Sequence, residues 1–109
     1  MKPVYGVICI IVSLLFAGIV FGAGDAAAGK ETYSKKCASC HGASGEGKEA
    51  IAKQLKVELH HLGSKEVQAK SDADLKKVIM EGSGKMKGVA GVDAKAADDV
   101  VAYLRTLKK

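Results

Sequence analysis

The sequence has 109 residues, of which 17 are lysine or arginine and 12 are aspartate or glutamate, giving a formal net charge of +5. This length limits the chain to one small domain and its terminal segments. The basic residues are dispersed, in runs of two at most and without interleaved aromatic side chains, which argues against a nucleic-acid-binding surface.

The first 24 residues have the pattern of a targeting segment. Lys2 is followed by an apolar run without charge, Val4 to Phe21, and then by the small residues Gly22, Ala23 and Gly24. We expect a signal peptide that is cleaved after Gly24, with cleavage two residues later as the alternative. Because the apolar run is also long enough to span a bilayer, an uncleaved membrane anchor stays open.

Residues 25–109 are then the folded domain, exported to the periplasm or another extracytoplasmic site and anchored to the inner membrane if the leader is retained. Both phenylalanines and Tyr5 belong to the leader, so Tyr33 and Tyr103 are the only aromatic residues of the domain. A core so small and so poor in aromatic side chains is marginal unless a bound group fills it.

A first helix is predicted from Ala26 to about Cys37, with Asp25 as its N-cap. Within it, Gly29 and Tyr33 lie four residues apart and therefore share a face. A glycine inside a helix costs about 1 kcal/mol relative to alanine, so its presence here indicates the close approach of another helix.

This helix runs into a C-x-x-C-H motif from Cys37 to His41. Cys9 lies in the leader, so Cys37 and Cys40 are the only thiols of the domain. On a helical backbone Cys40 lies about 60° behind Cys37 and His41 about 40° ahead of it, so all three side chains leave from one face. The motif predicts a covalent c-type haem, with two thioether bonds from the cysteines and His41 as an iron ligand.

Three other interpretations of the motif agree less well with the sequence. A thioredoxin-like redox pair needs a βαβ pattern, and no β-rich run follows residue 24. A structural zinc site needs four ligands, and the other candidates, His60 and His61, are adjacent rather than separated by three to five residues. A plain disulfide is the third alternative.

The segment after the motif is predicted to be mostly loop, because three glycines fall between residues 42 and 48. Short helical turns are expected at Glu49 to Leu55 and at Ser64 to Ala69. A middle helix is predicted to begin after the capping residue Ser71 and to stop at Gly82. A glycine-bounded loop that carries Met86 follows it.

The last helix has the clearest pattern in the chain. Asp93 is its predicted N-cap, and apolar residues recur at helical spacing at Ala97, Val100, Val101 and Leu104. The three longer helices and the absence of an internal repeat indicate a single all-α domain.

Together these features resemble the class I monohaem cytochromes c, especially the small bacterial periplasmic ones. The resemblance covers residues 25–109 and rests on the C-x-x-C-H motif, the pair Gly29 and Tyr33, the Gly-Ser-Gly-Lys-Met sequence that ends at Met86, and the last helix with Val100, Tyr103 and Leu104. It implies a cytochrome c fold in which the N- and C-terminal helices cross, while a middle helix and loops surround one haem. It also implies that the loop of Met86 supplies the sixth iron ligand.

Two departures from that family concern prolines. Its members commonly carry proline after the ligand methionine and in the segment after the haem motif, whereas Lys87 follows Met86 and the only proline of this chain is Pro3. The group that orients the imidazole of His41 is therefore unassigned. A more weakly held methionine loop is expected.

Among the candidates for the sixth ligand, Met86 is preferred because it lies in a loop that can be aimed at the iron. Met80 lies on the middle helix, about 140° round from Leu75, and is expected to be a packing residue. His60 and His61 stay open as alternatives, although adjacent histidines in a charged segment are typically solvated. An open or weakly held position is the remaining alternative.

If His41 and Met86 fill both axial positions, no substrate reaches the metal and one-electron transfer is the expected chemistry. We therefore expect a monomeric electron carrier between respiratory partner proteins, not an enzyme. Five lysines flank the haem segments and are expected to form a basic rim that steers acidic partners: Lys35, Lys36, Lys48, Lys85 and Lys87.

Two other functions stay open on the sequence. One is a haem protein that binds a gas or peroxide at a labile Met86 position. The other is a membrane-anchored cytochrome subunit of a larger oxidoreductase complex.

Overall fold

A computed structural model describes residues 24–109, so the predicted leader lies outside the described residues. The elements follow in the order α1 (Ala26–Lys36), α2 (Ala38–His41), α3 (Glu49–Leu55), α4 (Lys65–Gln68), α5 (Asp72–Glu81), β1 (Gly82–Ser83), β2 (Met86–Lys87) and α6 (Ala94–Thr106). Within the described range, the helices are all too short or too polar to cross a bilayer. The predicted all-α architecture is confirmed, with one small hairpin added to it.

The three longer helices begin where the sequence predicts them. The predicted N-caps Asp25, Ser71 and Asp93 each accept a hydrogen bond from a backbone N–H of the first turn that follows. At its other end α5 stops at Gly82, whose φ of 87° lies in the left-handed region that glycine tolerates. The capping residues therefore set the helix boundaries.

Helices α1 and α6 cross with their backbones in contact. A Cβ atom added to Gly29 would lie 1.9 Å from the carbonyl oxygen of Asp99, so a side chain larger than hydrogen does not fit. One turn further along, the rings of Tyr33 and Tyr103 pack with their centroids 5.2 Å apart and tilted by 56°. This is the helix crossing that the glycine predicts.

The core lies between α1, α5 and α6. Its buried apolar side chains come mainly from α6, with two from α5, one from α1 and one, Val92, from the loop before α6: Tyr33, Leu75, Ile79, Val92, Ala97, Val100, Val101, Tyr103 and Leu104. Helix α6 is thus the central element against which the others pack.

A polar cluster fastens the middle of the chain to the end of α6. The guanidinium of Arg105 donates to the carbonyl oxygens of Gln68 and Lys70 at 2.9 and 2.7 Å, and to a carboxylate oxygen of Asp72 at 2.7 Å. The amide of Gln68 in turn donates to the carbonyl oxygen of Leu104 at 2.9 Å. Hydrogen bonds therefore position α4, a segment whose apolar pattern is weak.

The loop predicted after α5 is a β-hairpin. Strands β1 and β2 pair antiparallel, with Gly82 opposite Lys87 and Ser83 opposite Met86. The two-residue turn between them includes Gly84 with a φ of 56°, typical of tight hairpin turns. The backbone then returns along α5, where the N–H of Val89 donates to the carbonyl oxygen of Ile79 at 2.8 Å.

Candidate haem site

A cavity of about 440 Å³ lies between the C-x-x-C-H motif, the end of α3 and the hairpin. The four side chains predicted to hold the cofactor, Cys37, Cys40, His41 and Met86, all line it. Its volume falls within the range of roughly 300 to 1,000 Å³ that ligand pockets usually have.

The motif forms a single helical turn. The backbone N–H groups of Cys40 and His41 both donate to the carbonyl oxygen of Cys37, at 3.2 and 3.0 Å. This backbone places the three side chains on one face of the turn, as the helical spacing predicts, and that face forms part of the cavity wall.

The two cysteines are half-buried free thiols. Burial, and then the neighbouring Cys40, raises the pKa of the Cys37 thiol above its ordinary value. The disulfide alternative finds no support in this geometry. For the zinc alternative, residues 24–109 contain no cluster of three or more histidine, cysteine or carboxylate side chains placed to hold a metal ion.

The backbone of His41 is held by the glycine-rich loop, while its ring is not. The N–H of Gly47 donates to the carbonyl oxygen of His41 at 2.6 Å, and the hydroxyl of Tyr33 donates to the adjacent carbonyl oxygen of Gly42, also at 2.6 Å. The ring atom Nδ1 is buried and has no hydrogen-bond partner within residues 24–109. Burial lowers the pKa of the His41 imidazole and so favours its neutral form.

Of the four candidates for a second axial ligand, Met86 alone lines the cavity. Met80 is 40% exposed on α5 and lies outside the cavity wall. His60 is exposed, with Nδ1 3.0 Å from a carboxylate oxygen of Glu66. Nδ1 of His61 accepts a hydrogen bond from the N–H of Gly63 at 2.8 Å.

The apolar wall of the cavity comes from a segment for which the sequence predicts mostly loop. Leu55 at the end of α3 and then Val57 and Leu59 in the irregular segment after it line the cavity together with Val89. The signal that could have identified them is their alternation with polar residues, which is typical of an extended segment with one apolar face.

Three of the five lysines predicted to form a basic rim line the cavity, namely Lys36, Lys85 and Lys87. The other two do not: Lys35 pairs with Glu31 at 3.4 Å on α1, and Lys48 lies outside the cavity wall. The rim is therefore formed by the end of α1 and by the hairpin.

Comparison with known proteins identifies the family of the chain. Residues 24–104 match the model of the family described as cytochrome C oxidase, cbb3-type, subunit III. Over 93 residues the chain is 38% identical to cytochrome c-554(547) of Halothiobacillus neapolitanus, an alignment that covers 79% of this chain and all of the relative.

Among solved structures, the chain is similar to the KustC0563 c-type cytochrome, with a TM-score of 0.63 and 25% identity. That superposition covers 74% of this chain and 98% of the other. Sequence and fold thus lead to the same class of haem-containing electron-transport proteins. The chain belongs to the cytochrome C oxidase, cbb3-type, subunit III family, and it is a c-type cytochrome of the class I monohaem kind.

Proposed function

We propose that this protein is an electron carrier whose single haem c is attached covalently through Cys37 and Cys40 and bound axially by His41 and Met86. One observation carries the proposal: these four side chains, which come from two distant parts of the sequence, line the same cavity.

The chemistry of the donor set supports the proposal. Two free thiols adjoin an imidazole whose pKa is lowered by burial, and a neutral imidazole is the form that binds a metal. The thioether of Met86 comes from the hairpin, and Leu55, Val57 and Leu59 contribute apolar surface that keeps water away. Haem held there supplies one-electron chemistry, and thioether ligation with burial favours the ferrous state.

The proposed ligand set leaves no coordination position for a substrate, so we infer electron transfer rather than catalysis. The lysines at the cavity edge, Lys36, Lys85 and Lys87, support encounter with redox partners that carry acidic surfaces. C-type cytochromes typically work outside the cytoplasm, and the leader predicted over residues 1–24 accounts for export of a monomeric domain, residues 25–109.

Service as a subunit of a larger oxidoreductase complex is the second candidate function. It is favoured by the description of the matching family, which names a subunit of an oxidase. Fractionation of cells that produce the full chain separates the two cases, since a free carrier is recovered in the periplasmic extract and a subunit in the membrane with its partner proteins.

Haem staining after denaturing electrophoresis tests the attachment. We expect the exported protein to keep its stain in acid acetone, and Cys37→Ala combined with Cys40→Ala to lose it. A spectroelectrochemical titration of the intact protein should then fit a reversible one-electron step. Haem that acid acetone extracts from the unaltered protein, or a titration that needs two electrons, contradicts the proposal.

A further inference from the structure

The chain enters the described fold beside a buried carboxylate. The backbone nitrogen of Asp25 donates to Oδ1 of Asp99 at 2.8 Å, across 74 positions of sequence. Asp99 lies on α6 at the crossing with α1, and it is only 6% exposed. A buried carboxylate is costly unless donors satisfy it, so this backbone nitrogen helps to hold the charge in place.

The surroundings of this contact are acidic. The N–H of Asp25 and then the ammonium of Lys95 lower the pKa of Asp99, so the carboxylate is charged in the fold. Lys95 approaches the other oxygen at 3.1 Å, but its side chain is 82% exposed. Asp99, Asp25 and Asp93 all raise the pKa of Lys95, which shows three carboxylates around a single ammonium. These carboxylates would therefore also stabilise a second positive charge next to Asp99.

The contact distinguishes the two cleavage positions that the leader sequence allows. Cleavage after Ala26 would remove Asp25 and with it both the donor to Asp99 and the N-cap of α1, whose carboxylate accepts from the N–H of Ala27 at 2.9 Å. Cleavage after Gly24 keeps Asp25 and converts its backbone nitrogen into the amino terminus.

We propose that the bond between Gly24 and Asp25 is the processing site of the leader and that Asp99 is the receptor for the amino terminus created there. Hydrolysis of this bond consumes one water molecule and leaves a carboxylate on Gly24 and an amine on Asp25. The amine takes a proton from solvent and becomes an ammonium group. It occupies the place of the amide nitrogen, so a neutral donor to Asp99 is replaced by a charged one.

Charge-assisted hydrogen bonds are roughly twice as strong as neutral ones. The ammonium would otherwise be unfavourable at the start of α1, where the helix dipole is positive, and Asp99 offsets that repulsion. Removal of the leader thereby tightens the crossing of α1 and α6. This inference is independent of which residues bind the iron, because Asp25, Lys95 and Asp99 lie outside the cavity wall.

The first test uses the exported holoprotein. Intact mass and N-terminal sequencing should give Asp25 as the first residue. A mature chain that begins at Gly24 or Ala27, or that retains the leader, overturns the assignment of the processing site.

The second test is a coupling measurement in the same protein. A matched form that keeps Gly24 is made by moving the cleavage site of the leader one residue upstream. Asp99→Asn should lower the folding equilibrium constant about tenfold more in the form that begins at Asp25 than in the form that keeps Gly24. The control is Asp72→Asn, whose carboxylate pairs with Arg105 at 2.7 Å near the other end of α6 and whose replacement should lower the folding equilibrium constant of both forms equally.

A third measurement needs no variant and so does not depend on how well Asp99→Asn folds. The rate at which a reagent acylates the α-amine is followed against pH. Oδ1 of Asp99 lies 2.8 Å from this nitrogen, and Lys95, Asp25 and Asp93 are the other charged groups that act on Asp99 or on its partner Lys95. The carboxylate of Asp99 should raise the pKa of the amine above the usual value of about 7.7 to 8.0. An α-amine whose pKa is not raised contradicts the receptor role of Asp99. The same holds if Asp99→Asn lowers the folding equilibrium constant equally in the two forms.

Discussion

Lys85 reaches across the edge of the cavity. Its ammonium donates to the carbonyl oxygen of Leu55 at 2.6 Å and so joins the hairpin that carries Met86 to the end of α3. Lys87, on the other side of Met86, also lines the cavity, but its side-chain ammonium makes no hydrogen bond within residues 24–109. In a chain that lacks a proline after the methionine, Lys85 is the residue that ties the methionine loop to the opposite wall.

The hydrogen bond from Lys85 to Leu55 predicts that two otherwise similar variants differ in the rate at which they bind cyanide. Lys85→Ala and Lys87→Ala each remove one positive charge beside Met86, but Lys85→Ala alone removes the bond to Leu55. An exposed, charge-assisted contact of this kind stabilises the closed position of the methionine loop by up to about 1 kcal/mol. Without it, Met86 should leave the iron more often, so cyanide should bind the ferric form of Lys85→Ala about two to five times faster. Stopped-flow mixing measures the rate. If cyanide binding is accelerated equally in both variants, the effect is due to the lost positive charge rather than to the lost hydrogen bond from Lys85 to Leu55.

Single residues could be predicted where the chemistry is local. The spacing of the C-x-x-C-H motif predicts that Cys37, Cys40 and His41 share one face, and all three line the cavity. The caps Asp25 and Ser71 act within their own helix turns. The bond from Lys85 to Leu55 joins residues 30 positions apart and has no sequence signature.

At the scale of the elements, the crossing of α1 and α6 depends on one glycine. Any Cβ at position 29 would overlap the backbone of Asp99 on α6, so the two helices would have to separate. Their separation would also loosen the packing of Tyr33 on Tyr103.

Gly29→Val should therefore destabilise the domain by about 1 to 3 kcal/mol through overpacking. In a domain of this size that corresponds to a fall of the melting temperature by roughly 4 to 8 °C for each kcal/mol. Ala27→Val is the matched control, because it introduces the same side chain at an exposed position of α1. Thermal unfolding followed by circular dichroism compares the two, and a melting temperature unchanged by Gly29→Val would mean that the helices do not meet there.

Two features have no periodic apolar pattern to predict them: the strands of the hairpin, and the position of α4 on α6, although the sequence does predict the helical turn of α4 between Ser64 and Ala69. Strands of two residues are too short to show alternation, so the hairpin around Met86 was predicted only as a loop. Helix α4 is placed on α6 by the hydrogen bonds of Arg105, which pair residues more than 30 positions apart. By contrast, α6 buries a continuous apolar face and was predictable from its spacing.

At the scale of the whole molecule, the fold brings two separate sequence signals to one place. The haem motif follows α1 and Met86 follows α5, and both reach the cavity because α1 and α5 pack on α6. The sequence could supply the candidates Met86, Met80, His60 and His61 as distal ligands. Choosing among them required the tertiary packing, which leaves only Met86 at the cavity.

The central claim is that His41 and Met86 bind the iron together, which makes the protein an electron carrier rather than a receptor for small ligands. The visible spectrum of the ferric protein tests it through the weak red charge-transfer band of methionine ligation. We expect the band in the unaltered protein and in Met80→Ala, and we expect Met86→Ala to lose it and to bind cyanide and, once reduced, carbon monoxide. A band that survives in Met86→Ala, a band lost in Met80→Ala, or an unaltered protein that lacks it would contradict the account.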